Sequence, residues 1–316
     1  MKRAIIVGSK GQDGRLLYER LINNSYAVLG IGREGVESSE TFDLSNVDIL
    51  DRQNVLDAVK IWQPDEIYYL PAFHHSSQDT LSSDQLDFFD KSYAVHVKGL
   101  LHFLEAVRLS SYPTKIFYAA SSLVFGEASN GTQSENTPMN PRCVYGITKV
   151  NGVHCSRFYR KTHGIYASVG FLYNHESPYR AEKFVSKKII RAAVDIFRGS
   201  NKKIVLGDLS AKVDWGYAPD FVEAMTCILT LKEAGDFVVA TGKAHSVLEF
   251  VQITFGLLGL DWKKHIEEKP SLLKRRNLPS VGDASKLHQL TGWQPSVSFE
   301  KMVEILLQAE IVSRYN

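Results

Sequence analysis

The sequence predicts an α/β protein: a doubly wound parallel sheet with a smaller α/β part for binding substrate. Three observations predict it. Through the first half of the chain, short apolar runs alternate with stretches of helical periodicity, as in a parallel sheet covered on both faces. The first apolar run ends in spaced glycines that lead into a helix. Tyr145 and Lys149, four residues apart, share one face of a helix that comes after a strand ending in serine.

Ala4 to Val7 form the first strand. Gly8, Gly11 and Gly14 come next with the spacing G-x-x-G-x-x-G, and a helix continues through Leu16, Leu17 and Leu21. Strand, glycine turn and helix make the Rossmann-type arrangement for a dinucleotide. Glycines let the backbone approach a pyrophosphate, and the helix N-terminus supplies N–H donors and a favourable dipole. Gln12 and Asp13 lie in this turn and are assigned to the cofactor with the glycines. The second strand, Ala27 to Ile31, ends in Gly32-Arg33-Glu34, where the adenosine ribose is read. An acidic residue there suits the diol of NAD, whereas an arginine suits the 2′-phosphate of NADP. Arg33 is the cofactor candidate. The reading leans to NAD(H), because Glu34 would repel a phosphate, and leaves NADP(H) open. Asp48-Ile49 end the next short segment, counted as the third strand, where a carboxylate can contact the adenine amino group.

A helix spans Asn54 to Trp62, and the fourth strand runs from Glu66 to Leu70. Pro71 to His75 form the loop after it, which places Leu70 and Ala72 beside the cofactor and His75 beside the substrate. Adjacent His74 and His75, with no Cys or carboxylate at ligand spacing, do not make a metal site. A long helix spans Phe88 to Leu109. The fifth strand, Lys115 to Ala120, ends in Ser121-Ser122, where a serine can hydrogen-bond a substrate hydroxyl. Asn140 to Val144 open the helix of Tyr145 and Lys149. A phenol beside an ammonium has its ionised form favoured, so the Tyr145 pKa is expected to fall. Such a phenol can take a proton from a hydroxyl. Ligands of these sheets sit at the carboxyl ends of the strands, which gathers the glycine turn, His75, Ser121 and Tyr145 on one edge.

Composition excludes other classes. The chain has 316 residues, 44% hydrophobic and 23% charged, with a formal net charge of +2. No basic run dominates, so no nucleic-acid partner is expected. Cys143, Cys155 and Cys227 are sparse and lack metal-ligand spacing, which reads as reduced thiols in a cytoplasmic protein. No signal peptide is expected before the first strand, and no apolar stretch is long enough to span a bilayer.

Gly8 to Gly14, Ser121 and Tyr145-x-x-x-Lys149 together resemble an extended short-chain dehydrogenase/reductase. Further segments sharpen the match: Gly11-Gln12-Asp13-Gly14, Asn174-His175-Glu176-Ser177-Pro178, Phe184 to Ile189, Ala211 to Gly216 and Ala240 to Val247. These closely resemble GDP-mannose 4,6-dehydratases, from about residue 3 to about 255 and more loosely to Val303. The resemblance implies that Tyr145 takes the proton from a sugar C4 hydroxyl while hydride passes to nicotinamide. It implies that Lys149 lowers the tyrosine pKa and holds the nicotinamide ribose, and that Ser121 orients the C4 oxygen. His75, Ser122, Asn174, Glu176, Val185, Lys188, Leu206 and Arg276 are the implied contacts to a GDP-sugar, with Lys188 or its neighbours meeting phosphate by charge.

Three departures bear on activity. The family carries Thr-x-Glu in a TSELYG-like run, and Ser121 to Gly126 align with it without a gap, placing Leu123 at the glutamate. That glutamate is the family's base at C5. Val213 stands where the family has arginine, and Pro71-Ala72-Phe73-His74 replace Gly-Ala-Gln-Ser beside the sugar. C4 oxidation is therefore expected to survive and dehydration to be lost. The alternatives are a full dehydratase using another base such as His74 or His75, a 4-epimerase or 4-keto reductase, and a cofactor-binding protein without turnover. The last has no need of Ser121, Tyr145 and Lys149 together. Residues 1–167 are assigned to the dinucleotide, with returns near 205–235, and 168–316 mainly to the nucleotide sugar, interleaved. A homodimer or homotetramer is expected. Trp262, Trp293 and a helix from Phe299 to Gln308 read as packing.

Overall fold

The structure, a computed structural model, describes residues 1–41, 46–73, 84–126, 131–272 and 280–314. Strands Arg3–Val7 (β1), Ala27–Gly32 (β2), Gly35–Ser38 (β3), Glu66–Tyr69 (β4) and Lys115–Ser121 (β5) are joined by helices Gln12–Asn23 (α1), Arg52–Trp62 (α2), Gln85–Tyr93 (α3) and Gly99–Leu109 (α4). A short strand, Thr132–Gln133 (β6), precedes helix Val144–His163 (α5), which leads to Ala167–Leu172 (β7) and Asn174–Glu176 (β8). Then come Val185–Phe197 (α6), Ile204–Leu206 (β9), Lys212–Tyr217 (β10), Ala218–Thr230 (α7), Asp236–Val239 (β11), Ala244–Ser246 (β12), Val247–Leu257 (α8), Ile266–Glu268 (β13), Val281–Gly282 (β14), Ser285–Thr291 (α9) and Phe299–Ser313 (α10).

The main sheet has seven strands in the order β11-β7-β5-β4-β1-β2-β3. Every pairing is parallel except β2 with β3. β1 and β4 are near-continuous buried apolar runs because helices cover both faces. Strand order reverses between β1 and β4, which opens a crevice at the carboxyl edge. The glycine turn leaves β1 at that crevice, and residues 70–73 leave β4 beside it.

The element boundaries differ from expectation at two places. Among the described residues, those around Asp48 form no strand, and the edge of the sheet is the antiparallel β3 instead. Gly32 pairs with Gly35 across a two-residue turn, so Arg33 and Glu34 are a hairpin tip. The long helix over 88–109 is interrupted. α3 passes into a π-helical segment, Ala94–Lys98, before α4 resumes.

Two apolar cores hold these elements together. The first packs around the seven strands and also takes Phe221, Phe237, Leu287 and Trp293 from the second half. The second gathers α6, α8 and α10 around Trp215, with Trp262 packed against it. Trp293 donates from Nε1 to the Asp220 carbonyl at 2.9 Å, so both tryptophans are packing residues. α10 extends to Ser313, beyond the expected end. Among the described residues no helix is long and apolar enough to cross a membrane.

Candidate active site

Ser121 ends β5, and its Oγ accepts from the Leu123 N–H at 3.3 Å, which starts a single 3-10 turn over Ser122–Val124. α5 begins against that turn. Cys143 caps the helix through Sγ, accepting from the Gly146 N–H at 3.4 Å. A Cβ at Gly146 would lie 2.6 Å from the Leu123 carbonyl oxygen, so only glycine lets the helix approach this closely. The approach brings the Tyr145 hydroxyl to Ser121, whose hydrogen bond favours the phenolate.

Lys149 lies one turn later and is 1% exposed. Its Nζ donates to the carbonyls of Ala119 at 2.7 Å and Pro71 at 3.2 Å, and lies 5.8 Å from the centre of the Tyr145 ring. The expected lowering of the Tyr145 pKa is not what this geometry gives. Burial pushes the phenol well above its ordinary value, against opposing effects from the Arg180 charge and the Ser121 hydrogen bond. Burial also pushes Lys149 down to about 7. Residue spacing placed the ammonium beside the phenol correctly. It could not show that Nζ bonds to two carbonyls or that both groups are desolvated.

His96, in the π segment, has no signal in the sequence that would single it out. It is fully buried. The Phe73 N–H donates to Nε2 at 2.8 Å, so Nδ1 carries the proton and donates to Thr148 Oγ1 at 2.7 Å. The ring meets Tyr145 edge-on, with centroids 5.0 Å apart. His96 thus ties the 71–73 segment to α5 and forms one wall around Tyr145. Arg180 is equally inconspicuous by motif. It pairs with Glu176 at 3.1 Å and lies 3.6 Å from the centre of the Phe184 ring.

The glycine turn fits a dinucleotide. Gly8 has φ of +86°, and a Cβ at Gly14 would fall 2.3 Å from the Gly8 carbonyl oxygen, leaving a bare backbone cradle. α1 starts from Gly11 with no side-chain cap, so its first N–H groups are available to an anion. The Ser9 hydroxyl is buried without a hydrogen-bond partner. The side chains of Gln12 and Asp13 reach across to β8. Gln12 Nε2 donates to the His175 carbonyl at 3.1 Å, and Ser177 Oγ donates to Gln12 Oε1 at 2.9 Å. The Asp13 carboxylate lies 3.0 Å from His175 Nε2, whose Nδ1 donates to the Tyr173 carbonyl at 2.6 Å. Both ring nitrogens face acceptors, which favours the imidazolium form of His175. Burial opposes its charge, and the Asp13 carboxylate outweighs burial, raising the His175 pKa. The two most distinctive sequence motifs, GQDG and NHESP, are therefore one hydrogen-bonded lock.

The other expected contacts divide. Leu70 and Ala72 lie on the segment joined to His96 and Lys149, and Ser122 opens the turn beside Ser121. Asn174 is exposed at the start of β8. Val185 and Lys188 are partly buried in the first turn of α6, while the neighbouring Lys187 is held by Glu310 at 2.8 Å. Glu176 is a correction: it is 1% exposed and accepts from Ser186 Oγ at 2.6 Å, an internal anchor. The Leu206 side chain likewise belongs to the second core. Arg33 and Glu34 are exposed at the hairpin tip. Exposed Asp48 accepts from the Leu50 N–H at 2.9 Å, and Ile49 packs on the first core. His74, His75, Arg275 and Arg276 lie outside the described residues. Among the described residues no cluster of His, Cys, Asp or Glu could hold a metal ion.

The chain matches the family model for GDP-mannose 4,6 dehydratase over residues 5–306. GDP-mannose 4,6 dehydratase 2 of Arabidopsis thaliana is 35% identical over 331 residues, covering 98% of this chain and 87% of that protein. The solved dTDP-glucose 4,6-dehydratase of Bacillus anthracis str. Ames, in complex with NAD, has a TM-score of 0.83 at 18% identity and covers 100% of this chain and 98% of its own. RMD of Pseudomonas aeruginosa, complexed with NADPH, has a TM-score of 0.81 at 18% identity, with 99% and 100% covered. These solved structures share the fold, and the Arabidopsis relative is similar in sequence across nearly the whole of this chain. The chain belongs to the GDP-mannose 4,6-dehydratase family, on the fold of the extended short-chain dehydrogenases/reductases.

Proposed function

We propose that the protein oxidises C4 of a GDP-linked sugar of manno configuration, a hexose or a heptose, and releases the 4-keto sugar with its C6 oxygen retained. Leu123 is the observation that carries this reading. It lies on the turn that starts from Ser121, against the first turn of the Tyr145 helix. At this position the family's resemblance implies a glutamate that takes the C5 proton. A leucine has no proton to exchange, and elimination across C5 and C6 needs an acid/base group there.

The remaining residues suffice for the first step. Ser121 orients the C4 oxygen, and Tyr145 takes the C4 hydroxyl proton. Lys149, one turn along α5 from Tyr145, holds the nicotinamide ribose and, when protonated, favours the phenolate. Gly8, Gly11 and Gly14, with the N–H groups of Gln12 and Asp13, hold the pyrophosphate. A bound NAD(P) supplies the hydride acceptor. Asn174 and Lys188 are contacts to the nucleotide sugar in this reading, which also keeps His75 and Arg276, outside the described residues, as candidates. The first core carries the cofactor and the second carries the sugar nucleotide, and we expect a homodimer or homotetramer working in surface-polysaccharide or deoxysugar synthesis.

The 35% identity to a dehydratase favours one second reading, complete 4,6-dehydration through another base. Product mass separates the two. Incubation with GDP-mannose or a GDP-manno-heptose and oxidised cofactor should give a product lighter by two hydrogens, with reduced cofactor formed in equal amount. A product lighter by one water, with no net change in cofactor, would establish the second reading. Tyr145→Phe should abolish turnover and leave cofactor binding intact.

A further inference from the structure

The general rule for this fold places the residue that reads the adenosine ribose at the end of β2. Here that end is a hairpin tip, where Arg33 and Glu34 are both exposed. Another carboxylate occupies the ground behind it. Glu37 lies on β3 directly opposite Gly30 of β2 in the ladder. Its side chain folds over the bare backbone of Gly30. A Cβ at Gly30 would come within 2.8 Å of Ser9 Cβ and 2.9 Å of Glu37 Cγ. The Glu37 carboxylate forms an ion pair with Lys10, from the glycine turn itself. Their side chains are 34% and 48% exposed, so a ligand in the crevice can reach both. The Ser9 hydroxyl, buried and without a partner, lies in the same cluster.

From this juxtaposition of the glycine turn and β3 we infer that Glu37, paired with Lys10, reads the 2′ position of the adenosine ribose and selects NAD over NADP. The inference rests on dinucleotide binding by the glycine turn. A carboxylate accepts hydrogen bonds from a ribose diol and repels a 2′-phosphate. Lys10 is a cation on the turn that could attract such a phosphate, and Glu37 already neutralises it. The antiparallel hairpin has therefore moved ribose reading from the end of β2 to the next strand. Glu37→Gln should free Lys10 and turn the same cluster into a phosphate site.

Binding of NAD⁺ and NADP⁺ to the full-length protein, measured by calorimetry or tryptophan fluorescence without sugar substrate, tests this. The wild type should bind NAD⁺ at least about tenfold more tightly than NADP⁺. Glu37→Gln should move the ratio of dissociation constants toward NADP⁺ by about tenfold or more, and Lys10→Gln added to it should remove that gain. Glu37→Asp, which keeps the charge, should retain the NAD⁺ preference, and thermal melts of each variant verify folding. An unchanged ratio in a folded Glu37→Gln protein overturns the inference. So does a wild-type preference for NADP⁺, or a switch produced by Arg33→Gln or Glu34→Gln in place of Glu37→Gln. Failure of the wild type to bind either dinucleotide overturns the cofactor reading beneath it as well.

Discussion

Leu123 and Ser121 are two residues apart, and the contrast between them defines what the site can do. Ser121 carries a hydroxyl beside the Tyr145 phenol, while Leu123 offers no acid or base. Leu123→Glu should therefore add a dehydrated product to the oxidised one with the GDP-sugar substrate, which mass spectrometry of the products checks. Lys149 gives a second expectation at this scale. Burial holds its folded pKa at about 7 against an ordinary lysine value of 10.5. Between these values the unfolded chain binds the proton and the folded protein does not, so stability rises with pH through that window. Below it both states are protonated and the buried charge is most costly. The contribution approaches ~1.4 kcal/mol per pH unit. In the absence of cofactor, Lys149→Met should lack this rise, and urea denaturation at about pH 7 and about pH 9.5, inside that window, measures it. Parallel curves for wild type and variant would contradict the burial assigned to Lys149. That Ser121, Tyr145 and Lys149 come together was legible in the sequence from residue type and spacing. The direction of the Tyr145 shift was not, because it depends on desolvation and on where Nζ points.

At the scale of elements, the central strands and the glycine turn were readable because parallel strands buried on both faces leave continuous apolar runs. β3 was not. Gly-Val-Glu-Ser has neither an apolar run nor a clear alternation, and every residue is only partly buried. The π segment was hidden for a different reason. One widened turn inside a long helix leaves the surrounding apolar pattern almost intact, although such turns often mark functional sites. Glu176 and Asp13 look like ligand contacts because a charged residue in a sequence suggests solvent or ligand. Their partners, Ser186 with Arg180 and His175, are far from obvious by spacing. The π segment carries a prediction of its own. His96→Phe keeps a ring against Tyr145 but removes the acceptor for Phe73 and the donor for Thr148. It should cost about 1–3 kcal/mol of stability and lower kcat with a smaller effect on the KM for GDP-sugar. Denaturant melts and steady-state kinetics check the two parts. A loss confined to stability would make His96 a packing residue only.

For the whole molecule, a lock between the glycine turn and β8 ties the seven-stranded sheet to the three-stranded one. Asp13 and Gln12 stand in the glycine turn, and His175 and Ser177 in and just after β8. The interleaving that brings α7 and β11 back to the first core explains why no linker is visible in composition. Family and fold were accessible from motifs in register over most of the chain. The sugar itself was less so, because part of the expected contact set lies in His75 and Arg276, and because Glu176 and Leu206 prove to be interior residues. The central claim is that the reaction stops after C4 oxidation. Its most direct test uses a GDP-manno-sugar deuterated at C4, with product and cofactor examined by mass spectrometry. The label should leave the sugar and appear in the reduced nicotinamide, while the product keeps its C6 oxygen. Label retained in a product that has lost water, carried to C6, would contradict the claim.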